Sequence, residues 1–563
     1  MNKAPSEWNL KQQLENWLGK KVTAELHYNL PPQELFQRAL KRKEGVLTST
    51  GALRIADLPV DRRGRSPKDK FFVKDPKSKE SERIHWGAVN QPIERPVFEA
   101  IKKKLFAFLA RQKELFVFDG YAGAHPTHRI KLRVVNTQAS QNLTAHHLFI
   151  RPETGVTPKH QSPDLTLVSA PDLHLKGKQD GVATDAAILV DIKNQLILII
   201  GAPYDGEMKK AVFTYLNYLY MEKEAILPMH ASASLAKNGD CVIFCGLSGT
   251  GKSTLSARNL TVVADDELGW DPELGIFNFE GGIFPKTENL DETQEPELFH
   301  GIRDTAVVQS VPFLTDKKGE IQKKNGKPIL DYKNPYLNED EKKHNIVTTN
   351  GRVVVPLYHL PKSVQSGLGG NPKVLFFLTM DAWGVLPPLS VIKDPKMIQY
   401  LFLSGYTAKA PGTEVGDTTT EPSATFSALF GEPFFPCHYQ EYSDRLMKLV
   451  KKLKVKVYLL NTGWSGGKYG VGKRMSLNKV TIPLRDAAMN NTLNLAPKNL
   501  TEHSIFKGLW IPKTVPGISD PTLLDPKSSW PKEKQSQYND IARALVCRFQ
   551  ANAKNKGFAA LIP

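Results

Sequence analysis

The chain has 563 residues, of which 40% are hydrophobic and 24% charged. That length exceeds one ordinary core and predicts about two to four domains, and the composition excludes a mostly disordered or fibrous chain. Basic residues outnumber acidic ones, giving a formal net charge of +17; this suits anionic partners (nucleotides, carboxylates, nucleic acid or a membrane surface) without choosing among them. Along the chain, residues 6–19 and 31–43 are predicted helical, the second with Leu35, Phe36 and Leu40 on one side. An amphipathic helix is expected over 92–112. Strands are expected at Leu115–Phe118, Ile130–Val135, His147–Ile150, Leu165–Val168 and Ala187–Ile192. Residues 195–201 (QLILIIG) form a near-continuous apolar run, which predicts a strand buried on both faces. A helix over Lys209–Met221 follows.

The character changes near Glu222–Leu227, so a domain boundary is expected at 225, between domains 1–225 and 226–563. Beyond it, Cys241–Cys245, Leu260–Ala264, Ile276–Phe279, Arg352–Leu357, Val374–Leu378 and Val455–Leu460 read as strands alternating with Gly-rich turns, an α/β pattern. Residues 316–343 hold eight Lys and six acidic residues; with the signs interleaved, a solvated loop or hairpin is expected rather than a nucleic-acid patch. Residues 409–423, rich in Gly, Thr and Pro, are expected to form a loop and a candidate lid. The tail is Pro-rich until Trp530 and then helical over Gln535–Phe549.

Four cysteines, Cys241, Cys245, Cys437 and Cys547, are too few for a disulfide scaffold. Cys241 and Cys245 lack a second Cys/His pair that would complete a zinc site, and their apolar run reads as buried small hydrophobes. The N-terminus shows no apolar signal region and no run of about 18 apolar residues exists. A cytoplasmic protein with no membrane partner is expected.

The strongest chemical signal is Gly246-Leu247-Ser248-Gly249-Thr250-Gly251-Lys252-Ser253, which matches the P-loop pattern G-x-x-x-x-G-K-[ST] at every fixed position. An apolar strand precedes it and a helical segment, Ser253–Arg258, follows. The glycines let backbone N–H groups turn inward around phosphate, and the helix N-terminus adds partial positive charge. Lys252 is then expected at the β- and γ-phosphates and Ser253 at Mg²⁺. Farther on, a β-rich run ends in Asp265 and Asp266. Carboxylates at a strand's C-terminal end beside a P-loop commonly hold the nucleotide's metal, although a helix cap or turn acid is the ordinary alternative. A nucleotide-dependent protein follows; a second substrate does not.

Further segments, in order, are Arg63-Gly-Arg65-Ser-Pro-Lys-Asp-Lys70, Tyr204-Asp-Gly-Glu-Met-Lys209-Lys210, Met229-His230-Ala-Ser, Phe277-Asn-Phe-Glu-Gly-Gly282, Asp381-Ala-Trp-Gly, Phe402-Leu-Ser-Gly-Tyr-Thr-Ala-Lys409 and Asn461-Thr-Gly-Trp464. With the P-loop they resemble ATP-dependent phosphoenolpyruvate carboxykinase over most of the chain. The resemblance implies an N-terminal substrate-side α/β domain and a C-terminal P-loop nucleotide domain with a C-terminal extension. Such a two-domain, P-loop carboxykinase-like architecture has mixed sheets and an active site in the interdomain cleft. It implies conversion of oxaloacetate and ATP to phosphoenolpyruvate, ADP and CO₂, a step of gluconeogenesis, through a metal-stabilised enolate that attacks the ATP γ-phosphate. The cofactors would be ATP, Mg²⁺ and Mn²⁺, the partners small molecules and not nucleic acid, and the protein a monomer.

By the same resemblance, Arg65 would hold the substrate carboxylate or CO₂, and a permanently charged guanidinium fork suits that task. Without the family pattern, a surface Arg in a basic loop would be the simpler reading. Arg352 would be the second substrate arginine, and Tyr204 would pack near the substrate. Lys210, His230 and Asp266 would ligate the second metal, the lysine only as a neutral amine. Taken alone, His230 reads as a structural histidine and Lys209–Lys210 as an exposed helix start. Lys209 would bond substrate or phosphate, Asp265 metal-bound water, and Ser248 the metal site or phosphoryl oxygens. Thr254 would close the P-loop, Lys286 and Glu295 would lie at the nucleotide, and Arg474, Met475 and Thr481 on the adenine side. The chain departs from the pattern at Thr481-Ile482, where the family reads Thr-Arg, in the longer loop 465–471, and at Leu268. Another P-loop phosphotransferase would explain Gly246–Ser253 and Asp265–Asp266, but not Arg65, Lys210 and His230. A nucleic-acid binder would show a basic, aromatic-interleaved face, which the sequence lacks.

Overall fold

A computed structural model describes residues 9–152, 162–223, 225–334, 350–409 and 422–563. The chain is mixed α/β and divides into two compact units, residues 1–216 with 279–361, and residues 217–278 with 362–563. A single cut at 225 does not describe that division. Residues 279–361 return to the first unit because the strands Gly282–Ile283, Val307–Gln309 and Arg352–Pro356 complete a five-stranded sheet with Leu53–Ile55 and Gly45–Leu47.

The first unit also holds an eight-stranded mixed sheet. Its central strand Leu196–Ile200 is buried at every position, as its unbroken apolar run predicts. It pairs antiparallel with Ala187–Asp191, which pairs parallel with Lys70–Lys74. The start of Lys70–Lys74 and the end of Leu196–Ile200 therefore lie at the same edge. That register brings the arginine loop before Lys70 beside the turn that opens the helix Gly206–Glu222. One expectation fails here: His147–Ile150 is not a strand but the end of the helix Ala139–Leu148. Nearly every residue of that helix is buried, so it shows no 3.6-residue apolar stripe to read. The expected helices at 6–19, 31–43 and 92–112 are Leu10–Leu18, Pro32–Lys41 and Arg95–Leu109.

The second unit is built on another eight-stranded sheet. Cys241–Cys245, Pro372–Thr379 and Lys456–Asn461 run parallel, and Ala231–Leu235 runs antiparallel between Cys241–Cys245 and Thr261–Ala264. The C-terminal ends of four strands, and the N-terminal end of Ala231–Leu235, therefore share one edge, the usual place for ligands in open α/β sheets. The C-terminal helix is longer than expected, Gln535–Asn555, and its Phe549 packs on Tyr400, Tyr406 and Phe426. Cys241 and Cys245 are buried free thiols, and burial pushes both up to about 12. Of the candidate lid, residues 410–421 lie outside the described residues; the flanking strands Tyr406–Lys409 and Ser423–Phe426 pair antiparallel. Within 316–343, residues 316–327 are exposed and include the two-stranded hairpin Lys323–Lys324 and Lys327–Pro328, while 335–343 lie outside the described residues. No helix among the described residues is long and apolar enough to cross a membrane.

Candidate active site

In the second unit, the strand Cys241–Cys245 leads into Gly246, and the helix Lys252–Ala257 begins six residues after that glycine. Gly249 and Gly251 take φ of +86° and +90°, a region open to glycine and strained for other residues. The Thr250 hydroxyl donates to the Leu247 carbonyl at 2.8 Å, and Thr462 Oγ1 donates to the Thr250 carbonyl at 3.0 Å. These bonds hold the loop open toward its glycine side, where Ser248 and Gly249 are exposed and Ser253 and Thr254 half-buried.

His230 sits one residue before Ala231, which pairs with Cys245. The hairpin register thus delivers the imidazole to the P-loop. His230 Nδ1 lies 2.5 Å from the Phe430 carbonyl, so the ring proton belongs on Nδ1 and the lone pair on Nε2. Nε2 faces Asp266 Oδ1 at 3.1 Å. Two such atoms that close are held together by a shared proton or by a cation between or beside them. Lys252 supplies one: its Nζ lies 2.5 Å from Asp266 Oδ1 and 3.3 Å from His230 Nε2. An imidazole nitrogen and a carboxylate oxygen so arranged are a donor pair that fits a divalent cation. Ser232 donates its hydroxyl to the Asp265 carbonyl and so fixes the acidic pair from the adjacent strand.

In the first unit, three arginines near the start of Lys70–Lys74 separate by environment. Arg62 pairs with Asp69 and Asp185, and Arg63 is buried with its Nε on the Leu58 carbonyl at 3.0 Å. Arg65 is the one whose side chain is exposed. Tyr204 is buried against Phe284. Lys209 is buried 2.9 Å from the equally buried Glu280, and Lys210 is half-buried, which removes the exposed-helix-start reading of this pair. The helix carries both lysines near its beginning, at Gly206–Glu222. Arg352 donates its Nε to Asn350 Oδ1 at 3.0 Å and its Nη1 to the Phe284 carbonyl at 3.2 Å. Asn350 Nδ2 donates in turn to the Arg63 carbonyl at 2.7 Å. Lys286 bridges to Arg352 in the backbone and lies 3.6 Å from Glu288; burial holds its ammonium below the usual lysine range, with Glu288 opposing. Glu295 precedes the helix Pro296–Gly301 and is half-buried.

The residues expected on the adenine side stand apart in character. Arg474 is exposed, stacks over Trp464 with 5.7 Å from guanidinium carbon to ring centroid, and donates Nε to the Thr462 carbonyl at 3.2 Å. Met475 donates its N–H to the Gly463 carbonyl at 2.8 Å. Thr481 is 1% exposed. It ends a π-helical turn, Leu477–Thr481, in which its N–H reaches the Ser476 carbonyl at 3.1 Å. Such turns often absorb one extra residue.

Sequence reasoning missed Glu207, Glu280, Asn350 and the Phe430 carbonyl. The two glutamates lie inside motifs already singled out. The need of buried cations for nearby carboxylates was the available signal. A backbone carbonyl two hundred residues from the histidine it orients leaves none.

The profile of a family described as phosphoenolpyruvate carboxykinase matches residues 24–521. The chain is similar to proteins named phosphoenolpyruvate carboxykinase (ATP). It is 42% identical to that of Bacillus velezensis over 94% of each chain. It is 41% identical to that of Geobacillus kaustophilus, over 94% of this chain and 93% of that one. It is also 41% identical to that of Caldanaerobacter subterraneus, over 94% of each.

Proposed function

The chain belongs to the ATP-dependent phosphoenolpyruvate carboxykinase family, and from that premise we propose how its residues divide the work. The reaction is the decarboxylation of oxaloacetate and its phosphorylation by ATP, giving phosphoenolpyruvate, ADP and CO₂. The reading is carried by the meeting of Lys252, His230 and Asp266 at the mouth of the P-loop, two acceptors gathered around one cation.

Arg65 and Tyr204 receive the carboxylate that leaves as CO₂. When that bond breaks, negative charge develops on the enolate oxygen. Lys209 and Arg352 are the fixed positive charges of the first unit that meet it, and Lys210, as a neutral amine, would contribute through the metal it holds. The enolate oxygen then attacks the γ-phosphorus in line. Such a transfer needs positioning and charge neutralisation more than covalent help. The backbone N–H groups of residues 246–254 cradle the phosphates, and Lys252 neutralises the β- and γ-oxygens. Ser253 would hold Mg²⁺, and Lys210, His230 and Asp266 would hold Mn²⁺, with Asp265 and Ser248 at their water and phosphoryl oxygens. When bound, these cations add positive charge where negative charge develops. Lys286 and Glu295 serve the nucleotide, and Arg474, Met475 and Thr481 its adenine side. A cytoplasmic monomer completes the proposal, and four unpaired cysteines fit a reducing compartment.

Purified protein supplied with phosphoenolpyruvate, bicarbonate, ADP and Mn²⁺ is expected to form oxaloacetate, followed through NADH oxidation by malate dehydrogenase. GDP in place of ADP is expected to support little turnover. No oxaloacetate with ADP, or equal rates with GDP, overturns the reading.

A further inference from the structure

The loop that carries Arg65 is held from two sides. On one side, Asn350 Nδ2 bonds the Arg63 carbonyl while Asn350 Oδ1 accepts from Arg352. On the other, the Ser66 N–H donates to Glu207 Oε1 at 2.6 Å. Glu207 is the second residue of the helix Gly206–Glu222, three before Lys210, and is only 7% exposed. A charge-assisted bond of that length to a buried carboxylate fixes geometry strongly. Arg65 lies between the two clamped backbone groups, so its exposed side chain springs from a short stretch with little freedom of its own. Resting on the carboxykinase reading above, we propose that Glu207 is a positioning residue, whose hold on the Ser66 N–H aims Arg65 at the departing carboxylate and ties that arginine to the helix bearing Lys209 and Lys210.

The surrounding charges agree. Burial pushes the Glu207 carboxyl up, while the Ser66 bond and the Arg65 and Lys70 cations pull it back toward the ionised form. Two roles must be told apart: Glu207 as an acceptor at one fixed point, and Glu207 as diffuse counter-charge for Arg65 and Lys70. The variants Glu207→Gln and Glu207→Asp separate them. Glutamine keeps the acceptor at the same reach and loses the charge, whereas aspartate keeps the charge and withdraws the acceptor by one methylene.

The positional role predicts that Glu207→Asp raises the KM for bicarbonate and for phosphoenolpyruvate at least tenfold, with the KM for ADP changed less than twofold. Glu207→Gln, which keeps the acceptor but loses the charge assistance, should raise the same two constants by a clearly smaller factor. The reverse order, or a fall in thermal stability with all three KM values unchanged in both variants, overturns it. Amide hydrogen exchange at Ser66 reads the clamp without turnover: slow in wild type and Glu207→Gln, fast in Glu207→Asp. Equal exchange in all three also overturns it. A wild type that makes no oxaloacetate would instead sink the functional reading, while the exchange measurement still decides the clamp.

Discussion

The ammonium of Lys252 lies 2.5 Å from Asp266 Oδ1, the same oxygen that faces His230 Nε2 at 3.1 Å. One carboxylate oxygen thus serves both the lysine proposed to bind phosphate and the pair proposed to hold metal. When nucleotide phosphates draw the lysine away, that oxygen becomes available to a divalent cation, so nucleotide and metal should bind with mutual support. Asp266→Asn leaves the shape and removes the charge. It is expected to lower turnover roughly 100-fold, the scale of losing one preorganised charged group, and to shift Mn²⁺ activation to higher concentration. Initial rates across a Mn²⁺ series check this; an unchanged activation curve would contradict it.

The phosphate loop offers a paired comparison between two glycines. A Cβ on Gly249 would meet nothing within 4 Å, but φ there is +86°. A Cβ on Gly246 would stand 2.4 Å from Thr250 Oγ1 and 2.9 Å from Leu378 Cβ. Gly249→Ala should therefore cost only conformational strain, about 1–2 kcal/mol, and raise the KM for ADP by roughly 5- to 30-fold. Gly246→Ala also displaces the Thr250 hydroxyl that braces the loop, and its effect on the KM should be the larger. ADP titrations of the two variants give the answer, and equal effects would refute the distinction.

How much of this was legible depends on how local each cause is. The P-loop needs only eight contiguous residues, and the buried strand Leu196–Ile200 only a run of apolar side chains, so both could be read directly. The helix Ala139–Leu148 could not, because burial on all sides erases the amphipathic period that marks a helix. The return of residues 279–361 to the first unit is a matter of strand pairing across long separations, Val307 with Leu53 for example, which no single segment announces. At the site, Lys210, His230 and Arg65 stood out by motif. Their supports did not: the Phe430 carbonyl, Asn350 Nδ2 and Glu207 act through bonds to groups distant in sequence, His230, Arg63 and Ser66.

Asp205 makes the stability of the fold depend on pH. It is fully buried, accepts from Thr144 Oγ1 at 2.6 Å, and burial pushes its carboxyl up to about 7. In the unfolded chain an aspartate titrates near 4, roughly. Between those values the folded protein holds a proton that the unfolded chain has lost, so stability falls as pH rises through that window and the cost is complete above about pH 7. Asp205→Asn mimics the protonated form. It is expected to stabilise the protein at pH 8, by on the order of 2–4 kcal/mol, and to change little at pH 4.5. Denaturant unfolding at the two values tests the sign; the same shift at both would assign the effect to packing instead.

Arg485 links the helix Ile482–Met489 to the helix that follows the P-loop. Where the family pattern reads Thr-Arg, this chain has Thr481-Ile482, and an arginine stands three residues on, at the same face of the helix Ile482–Met489. Its guanidinium is fully buried. Nη1 donates to the Leu255 carbonyl at 2.6 Å and the Arg258 carbonyl at 3.0 Å, and Nε donates to Asp486 at 2.8 Å. Leu255 and Arg258 lie at the C-terminal end of the six-residue helix Lys252–Ala257, whose last carbonyls have no partner within the helix. A cation there satisfies them and complements the helix dipole. Arg485→Met fills similar space but strands the buried Leu255 carbonyl and the half-buried Arg258 carbonyl, at up to about 1–3 kcal/mol each. Because the same short helix begins at Lys252, loosening its end should also misplace the lysine. The expected outcome is a stability loss of about 2–5 kcal/mol with a raised KM for ADP, partly restored by Arg485→Lys, which returns some of the donors. If unfolding measurements show the loss while the KM for ADP stays at the wild-type value, the arginine braces the core without governing where the phosphate loop sits.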